Sequence, residues 1–305
     1  MNRREALKTI WLAIVAAGAS SFLSFEDLLA ADANPDKRIN LVWLHASSCS
    51  GCSCSFLNIE DVSVLDILTK FANLIFHPDL SLATGDQVTE ILDKVSASGM
   101  PYLFVLEGGI PTAMPHACLM ADQPITYWVE KLGSKAIASV GIGTCAVFGG
   151  VTNMKGMETG SIPLDAFYAR KGITQAVINL PNCPLKPEHL VYTLLHYAYK
   201  GSFPSTDSKG RPLKFFDRTV HEHCIFYADF QEKHYARYIG DAGCLLKLGC
   251  QGPLTRNDCL IIGHNGNTNI CIRAGHPCIG CASEHFPRRV MFHIASDPQG
   301  VSEDS

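Results

Sequence analysis

Cysteine is the residue type that points most directly to chemistry in this sequence. The chain of 305 residues contains thirteen cysteines, more than packing alone would use. Their sulfur is therefore predicted to serve either disulfides or metal sites, and an odd count would leave one cysteine over if the rest paired covalently. Three groups of four potential ligands can be separated along the chain, which favours metal.

The first group combines a CxxC pair with two isolated cysteines. Its members are Cys49, Cys52, Cys145 and Cys183. Each follows the carboxyl end of a predicted strand, and in an open α/β sheet ligands bind at that edge. Four thiolates there, with Gly51, Gly141 and Gly143 allowing a close approach of the backbone, fit a four-iron cluster. Zinc is the rival interpretation, although structural zinc sites usually collect their ligands in two close pairs.

The second group contains a histidine, and its members are His221, Cys224, Cys244 and Cys250. His221 stands three residues before Cys224 in a cysteine-dense stretch, which favours it as a ligand, with His223 as the competing choice. A neutral imidazole in place of a thiolate removes one negative charge and tends to raise the potential of an iron–sulfur cluster. That property suits the point where electrons leave a protein.

The third group consists of cysteines alone: Cys259, Cys271, Cys278 and Cys281. Four thiolates again predict a four-iron cluster, whereas three would favour a three-iron cluster, so Cys271 decides the cluster type. The spacing resembles neither the bacterial nor the plant-type ferredoxin pattern, so it indicates metal without identifying the cluster.

An α/β domain is predicted to position the first group. Over residues 39–200, short apolar runs alternate with segments of helical period, which is typical of a parallel sheet covered by helices. The five runs short enough to be buried strands are Ile39 to His45, Leu74 to His77, Tyr102 to Leu106, Ala136 to Ile142 and Ala176 to Leu180. Thr84 and Gln87 form a capping-box pattern ahead of one helix, and another helix is predicted to begin at Pro187 and end at Gly201.

The composition changes after Gly201. Gly, Pro, Asn, His and Cys become dense, and no long periodic helix is predicted over residues 205–288. Such a segment has little apolar surface to bury, so it needs another source of stability, and metal coordination can supply it. We predict a doubly wound α/β domain over residues 34–200, a smaller irregular metal-binding domain over 201–290 and a polar tail over 291–305.

The first 33 residues are interpreted as an export signal. Arg3 and Arg4 precede an apolar run from Ile10 to Phe25, and small residues beyond it suit cleavage before Asn34. The twin-arginine route exports folded proteins with inserted cofactors, which favours clusters over disulfides; an ordinary secretory signal or an uncleaved anchor is the alternative. The net charge of −4, with scattered basic residues, argues against nucleic acid as a partner. The polar C-terminus predicts no membrane anchor there.

Seven ordered motifs give the chain a resemblance to a known family. They are Trp43-Leu44 before Ser48-Cys49-Ser50-Gly51-Cys52, Glu107-Gly108-Gly109-Ile110-Pro111, Gly143-Thr144-Cys145-Ala146, Cys183-Pro184, Thr219-Val220-His221, Leu248-Gly249-Cys250-Gln251-Gly252-Pro253 and Pro277-Cys278-Ile279-Gly280-Cys281. From Arg3 to about Phe286 the sequence resembles the small subunits of NiFe hydrogenases. The resemblance implies a flavodoxin-like domain followed by an irregular cluster-binding domain. It also implies that the first, second and third groups hold the proximal, distal and medial clusters, respectively.

The resemblance also implies a function. Family members pair with a large subunit that holds nickel and iron and splits hydrogen, while the small subunit passes single electrons to a redox partner. No catalytic residue is therefore expected in this chain, and three four-iron clusters are the expected cofactors. The expected partners are the NiFe hydrogenase large subunit and either a cytochrome-type acceptor or a quinone-linked membrane subunit. The expected location is the periplasm, with any membrane association made through a partner.

Some positions depart from the family pattern. Many relatives have Pro in place of Cys271 and a three-iron medial cluster, whereas Cys271 resembles the nickel–iron–selenium branch, which has a four-iron one. Cys54 stands where relatives commonly have Glu, and it is interpreted as a packed thiol, with an extra ligand or redox switch as the alternative. Cys118 is interpreted as a plain thiol. Oxygen-tolerant relatives add cysteines at the positions of Gly51 and Gly150, so that pattern is absent from this sequence.

Three other functional classes stay open. An exported disulfide-rich binding protein would contain disulfides and no iron. A hydrogen-sensing subunit would act in the cytoplasm, which the export signal argues against. The iron–sulfur subunit of another exported redox complex would share the first group but not the second and third groups together.

Overall fold

A computed structural model describes residues 38–60, 62–264 and 266–287. The predicted export signal over residues 1–33 and the predicted polar tail over 291–305 lie outside the described residues. In the part of the chain that is described, no helix combines the length and the apolar character needed to cross a membrane.

A parallel sheet of five strands forms the centre of the fold. Its strands are β1 Ile39–His45, β2 Ala72–Phe76, β3 Leu103–Glu107, β4 Ala138–Ile142 and β5 Val177–Leu180. In this numbering the order is β2-β1-β3-β4-β5, with every neighbouring pair parallel. That is the order of flavodoxin-like doubly wound folds, and it confirms the predicted fold class. All five predicted strands are present, and only β1 has both predicted ends.

Helices cover both faces of the sheet. Gly51–Leu57 and Pro187–Lys200 pack on one face, and Asp86–Ala97, Ile125–Gly133 and Leu164–Lys171 pack on the other. Alternate residues of β1 enter the two cores: Leu41 and Trp43 lie in the first, and Val42 and Leu44 lie in the second. Because the strands are buried on both sides, they read in the sequence as unbroken apolar runs rather than as alternating ones.

The remaining elements of this part are short. They are the antiparallel pairs Ile110–Pro111 with Ser161–Ile162 and Leu119–Met120 with Gln123–Pro124, the helices Val64–Asp66 and Gly143–Phe148, the π-helical turn Ile67–Phe71, and the 3-10 turns Pro115–Ala117 and Gly150–Asn153. They connect the strands and helices around the sheet.

The helix Pro187–Lys200 has the predicted boundaries. Pro187 occupies its first turn, and Gly201 ends it in the left-handed conformation with φ 66°. The helix Asp86–Ala97 begins later than the capping-box pattern predicts, with Gly85 at the N-cap position. Only half of the box forms, because the Thr84 N–H donates to Gln87 Oε1 at 3.4 Å while the N-cap residue has no side chain to reciprocate.

Regular structure is sparse in the described residues after 201, as predicted. It consists of the helices Leu213–Phe216 and Tyr227–Gln231 and the 3-10 turns His221–His223, Leu245–Leu248 and Gly252–Leu254. The segment is tied to the sheet, because Phe215 and Phe216 are buried in the first core and the ring of Phe215 stacks on His189 with centroids 4.1 Å apart. The division into domains at residue 200 stays a prediction.

Replacing Tyr168 with phenylalanine is expected to lower the free energy of unfolding by about 1–3 kcal/mol. The Tyr168 hydroxyl lies 2.6 Å from Ser139 Oγ beneath the sheet, and both residues are buried, so the variant leaves the Ser139 hydroxyl without this partner. The exposed Tyr238 provides the control, since Tyr238→Phe removes a hydroxyl that water already solvates. Urea unfolding followed by circular dichroism measures the difference, and equal midpoints for the two variants would contradict it.

Candidate metal centres

The first cysteine group gathers at the carboxyl edge of the sheet. Cys52 lies in the helix after β1, Cys145 in the helix after β4, and Cys183 just beyond β5. Burial, with added repulsion from Cys145 and Cys49, raises the pKa of Cys183 to about 11. Burial and the nearby Glu107 raise the pKa of Cys52 well above its ordinary value, and Cys183 and Cys145 add to the shift. The structure therefore brings all four predicted ligands together.

These raised pKa values bear on whether the group suits a metal centre. Thiols that are this difficult to ionise remain protonated at neutral pH unless a cation compensates for the thiolate charge. Iron or zinc provides that compensation and releases the thiol protons on binding. All thirteen cysteines lie in the described part of the chain, and each is a free thiol. The donor set therefore fits a thiolate-bound metal centre.

Two of the three predicted glycines lie against the thiols. Gly143 has φ 75°, and a Cβ at this position would stand 2.5 Å from Cys52 Sγ. A Cβ on Gly51 would meet Cys49 Sγ at 3.0 Å. The expectation for Gly141 was wrong, because this residue lies inside β4 and faces the side chain of Asn179. Close backbone approach at the site therefore depends on Gly143 and Gly51.

Glu107 is a site residue whose role the sequence analysis missed. It ends β3, is 2% exposed, and accepts hydrogen bonds from the backbone N–H groups of Cys52 at 3.1 Å and Ser53 at 3.0 Å. The Ser48 and Ser53 hydroxyls also donate to it, at 2.7 and 2.6 Å. Burial alone would raise the pKa of Glu107, but hydrogen bonds from His45, Ser48 and Ser53 outweigh it and hold the pKa at about 2. The carboxylate thus fixes the turn that carries Cys52; a lone acid at the end of an apolar strand was the available signal.

The second group lines one pocket. His221, Cys224, Cys244 and Cys250 all face it, together with apolar side chains such as Phe226 and Leu245. His223 is not among the residues that line this pocket, so the geometry favours His221. Its ring packs on Tyr227 and Phe230, with centroids 5.2 and 4.4 Å away, and burial lowers its pKa, which favours the neutral imidazole that ligates metals.

The third group is largely buried: Cys278 is 8% exposed, and the other three cysteines are half-buried. Burial raises the pKa of Cys259 to about 12, and Cys281 and Cys271 contribute through their charge. Burial likewise raises the pKa of Cys281 to about 11, again with a contribution from Cys271. Burial also raises the pKa of Cys278 well above its ordinary value, and the charges of Cys250, Cys281 and Cys259 add to the shift. All four predicted ligands are therefore neighbours, and Cys271 is one of them.

The three groups are joined in a row. The Cys281 thiol donates to Asn182 Oδ1 at 3.7 Å, beside Cys183, which connects the third group to the first. The Cys278 N–H donates to Cys250 Sγ at 3.4 Å, which connects the third group to the second. The order in space is therefore first, third, second, which differs from the order along the chain.

A buried charge cluster lies beside the first and third groups. Lys186 Nζ is 2.7 Å from Asp258 Oδ1 and also donates to the Ile262 carbonyl, and His189 Nε2 lies 3.0 Å from the same Asp258 oxygen. Lys186 and His189 are 0% exposed and Asp258 is 6% exposed. The charge of Lys186 opposes the rise in the pKa of both Cys259 and Cys281. A buried cation therefore favours the thiolate forms at the third group.

The two cysteines outside the groups differ in exposure. Cys54 lies in the same helix as Cys52 but is exposed, whereas Cys118 is half-buried against the second core. Burial raises the pKa of Cys118, as expected for an unreactive thiol. The role of Cys54 stays a hypothesis.

Two family models match the chain in succession. The model described as NADH ubiquinone oxidoreductase, 20 Kd subunit, matches residues 49–197, which include the first cysteine group. The C-terminal model of the NiFe/NiFeSe hydrogenase small subunit matches residues 216–293, which include the second and third groups. The matches together span most of the described structure.

Individual proteins resemble the chain over nearly its whole length. The periplasmic NiFeSe hydrogenase small subunit of Desulfomicrobium baculatum is 29% identical over 317 residues, covering 97% of this chain and 99% of that relative. The periplasmic NiFe hydrogenase small subunit 1 of Nitratidesulfovibrio vulgaris is 32% identical over 292 residues, covering 94% and 90%. The solved recombinant NiFeSe hydrogenase from Desulfovibrio vulgaris Hildenborough superposes with a TM-score of 0.77 at 31% identity, covering 84% of this chain and 97% of that chain.

Proposed function

The chain belongs to the small-subunit family of NiFe and NiFeSe hydrogenases, the electron-transfer subunits of these heterodimeric enzymes, and from that premise we propose that it carries three four-iron clusters. The observation that carries the proposal is the row of three ligand groups, joined by the hydrogen bonds from Cys281 to Asn182, which precedes Cys183, and from Cys278 to Cys250. A single zinc site would need none of these connections.

Each cluster has a full set of ligands in this proposal. The proximal ligands are Cys49, Cys52, Cys145 and Cys183; the medial ligands are Cys259, Cys271, Cys278 and Cys281; the distal ligands are His221, Cys224, Cys244 and Cys250. When bound, the clusters would supply one-electron carriers between the partner's nickel–iron site and an acceptor. The protein's own part is to hold the ligands and to set the charge around them.

Hydrogen bonds to sulfur are one way in which this chain adjusts the negative charge on the proposed cluster ligands. The backbone N–H groups of Leu185, Phe226 and Cys278 donate to the thiols of Cys52, Cys224 and Cys250, each at 3.4 Å. Donors of this kind stabilise negative charge on sulfur and therefore tend to raise a cluster's potential. Each N–H stabilises a ligand of the proximal or distal set.

We also propose the partners and the location. The chain pairs with a NiFe hydrogenase large subunit, which contains the catalytic site, and works in the periplasm after folded export through residues 1–33. The relatives named as periplasmic small subunits support this location. The electron acceptor is a cytochrome-type protein or a quinone-linked membrane subunit at the surface near His221. The relative named quinone-reactive Ni/Fe-hydrogenase small chain, from Wolinella succinogenes, supports the second of these.

Two alternatives have less support. A disulfide-rich binding protein does not suit thirteen free thiols. The iron–sulfur subunit of another redox complex suits the match over residues 49–197 but leaves the match over 216–293 unexplained.

Replacing Cys271 with alanine tests the medial cluster. The variant is expected to lose about one iron per complex and to show an oxidised three-iron EPR signal of about one spin per molecule, because three thiolates favour a three-iron cluster. The wild-type small subunit is expected to hold about twelve irons, in addition to the iron of the partner's nickel–iron site, and to lack that signal. Cys118→Ala is the control, since it removes a half-buried thiol outside all three groups. A strong three-iron signal in the intact wild type would show that Cys271 is not a ligand.

A further inference from the structure

A separate cluster of potential ligands lies apart from the cysteine groups. His45 ends β1, and His77 and Asp79 follow the end of β2. One possible ligand atom from each of the three lies within 4.8 Å of the others. The proposed electron-transfer function uses none of these side chains as a ligand.

The hydrogen bonds that the two histidines make with Ser53 and Glu107 determine which ring nitrogens are free to bind a metal ion. The Ser53 hydroxyl donates to Glu107 at 2.6 Å, so Ser53 Oγ acts as an acceptor toward the rings. His77 Nε2 lies 3.1 Å from Ser53 Oγ, and His45 Nε2 lies 2.9 Å from it and 3.2 Å from a Glu107 oxygen. Both Nε2 atoms therefore carry the proton in the neutral rings, which leaves an unprotonated lone pair on each Nδ1. A carboxylate that orients a histidine through its other nitrogen is a common support of metal ligands.

Packing holds the two rings in place. The His77 ring contacts the rings of Trp43 and His45, with centroids 4.8 and 5.3 Å away, and is 1% exposed. Burial, together with His45, lowers the pKa of His77 to about 4, so this ring is neutral at neutral pH. The Asp79 side chain is 45% exposed and connects the cluster to solvent. The arrangement is therefore two fixed imidazoles beneath one adjustable carboxylate.

We propose that His45 Nδ1, His77 Nδ1 and the Asp79 carboxylate form a binding site for a divalent transition-metal ion of the zinc class. His45 Nδ1 and Asp79 Oδ2 are 3.9 Å apart, too far for a hydrogen bond. Ligands of one tetrahedral zinc ion, with bonds of about 2.0–2.2 Å, stand ~3.4 Å apart, so binding requires the Asp79 carboxylate to move about half an ångström toward His45. The other ligand separations, which are at most 4.8 Å, must close by up to ~1.4 Å. His77 Nδ1 now accepts the Asp79 N–H at 3.0 Å and would exchange that contact for the ion.

The donor types select the ion. Two imidazoles with one carboxylate suit zinc and other borderline metals, whereas magnesium and calcium prefer oxygen donors throughout. Three protein ligands leave at least one position for water at the exposed side of Asp79. A bound ion would connect the end of β1 to the turn after β2, so zinc is also expected to stabilise the folded chain.

Zinc binding to the purified hydrogenase complex tests the site. The complex is first dialysed against a chelator, and zinc uptake is then measured by calorimetry and by metal analysis. The wild type is expected to take up one zinc ion that raises its thermal midpoint, and Asp79→Asn and His77→Gln are each expected to weaken that binding by at least about tenfold. Asp122→Asn and His116→Gln are matched controls, because they alter an exposed acid and an exposed histidine outside the cluster.

A zinc-edge anomalous map of crystals grown with zinc locates the ion. A peak between His45, His77 and Asp79 supports the site, whereas zinc only at the cysteine groups, or equal uptake by the wild type and both site variants, overturns it. EPR spectra of the clusters are recorded on every variant. Unchanged spectra show that weaker zinc binding arises from the lost ligand rather than from misfolding, and they keep this test independent of the proposed electron-transfer function.

Discussion

Replacing Lys186 with methionine is expected to lower the free energy of unfolding by about 3–5 kcal/mol, because the variant leaves Asp258 as an uncompensated charge in the interior. Burial by itself raises the pKa of Asp258, yet its interactions with His189 and Lys186 hold it at about 2. The carboxylate is therefore ionised in the wild type and depends on these two neighbours. His189 alone offers a single hydrogen bond, since burial lowers its own pKa and keeps the ring neutral.

A surface ion pair of the same length provides the matched control. Lys70 and Asp66 are 2.7 Å apart, the same separation as Lys186 and Asp258, but their side chains are 54% and 44% exposed. Lys70→Met is expected to change the unfolding free energy by less than about 1 kcal/mol, because water solvates the remaining carboxylate. Urea unfolding at matched iron content measures both variants.

A second substitution separates charge from packing. Adding Asp258→Asn to Lys186→Met removes the unpaired charge, so the double variant is expected to be more stable than Lys186→Met alone. A loss in Lys186→Met no larger than that in Lys70→Met would show that the buried pair contributes little.

The sheet could be predicted from the sequence because its strands are buried on both faces. Five short apolar runs between helical segments were sufficient to identify β1 to β5. Several strand ends could not be placed, because they depend on which residues pair across the sheet: Glu107 pairs with His45 and Ile142, so β3 extends to Glu107 rather than ending at Leu106. Pairing is a tertiary property that apolar periodicity does not encode.

The first cysteine group could be predicted because its members follow strand ends that meet at one edge. The row formed by the three groups followed only from the family resemblance and not from the residues themselves, because it depends on contacts between distant segments such as Asn182 and Cys281. Lys186 was not recognised either. A single lysine before a helix is ordinarily a solvated residue, and its partner Asp258 lies 72 positions later. Only the folded chain shows that both are buried.

Replacing Cys183 with alanine is expected to reduce hydrogen-driven dye reduction by more than the roughly 10–100-fold that is typical when a residue orienting a metal ligand is lost. Cys183 belongs to the proposed proximal set, and the preceding residue, Asn182, accepts a hydrogen bond from the thiol of Cys281 in the proposed medial set. Alanine removes the Cys183 thiol and leaves Asn182 unchanged, so the variant separates loss of one ligand from disturbance of the neighbouring group. Iron content is expected to fall by about one to four per complex, since a cluster with three thiolates is converted or lost.

Exchange of hydrogen with deuterated water provides the decisive comparison. That reaction needs only the nickel–iron site of the partner, so it is expected to continue in Cys183→Ala while dye reduction fails. Cys118→Ala is expected to retain both reactions and the full iron content, because Cys118 is a half-buried thiol outside the three groups. Loss of both reactions in Cys183→Ala would point to failed assembly, and full dye reduction would show that Cys183 is not required. Loss of dye reduction alone is the result expected if the first group begins the path by which electrons leave the partner.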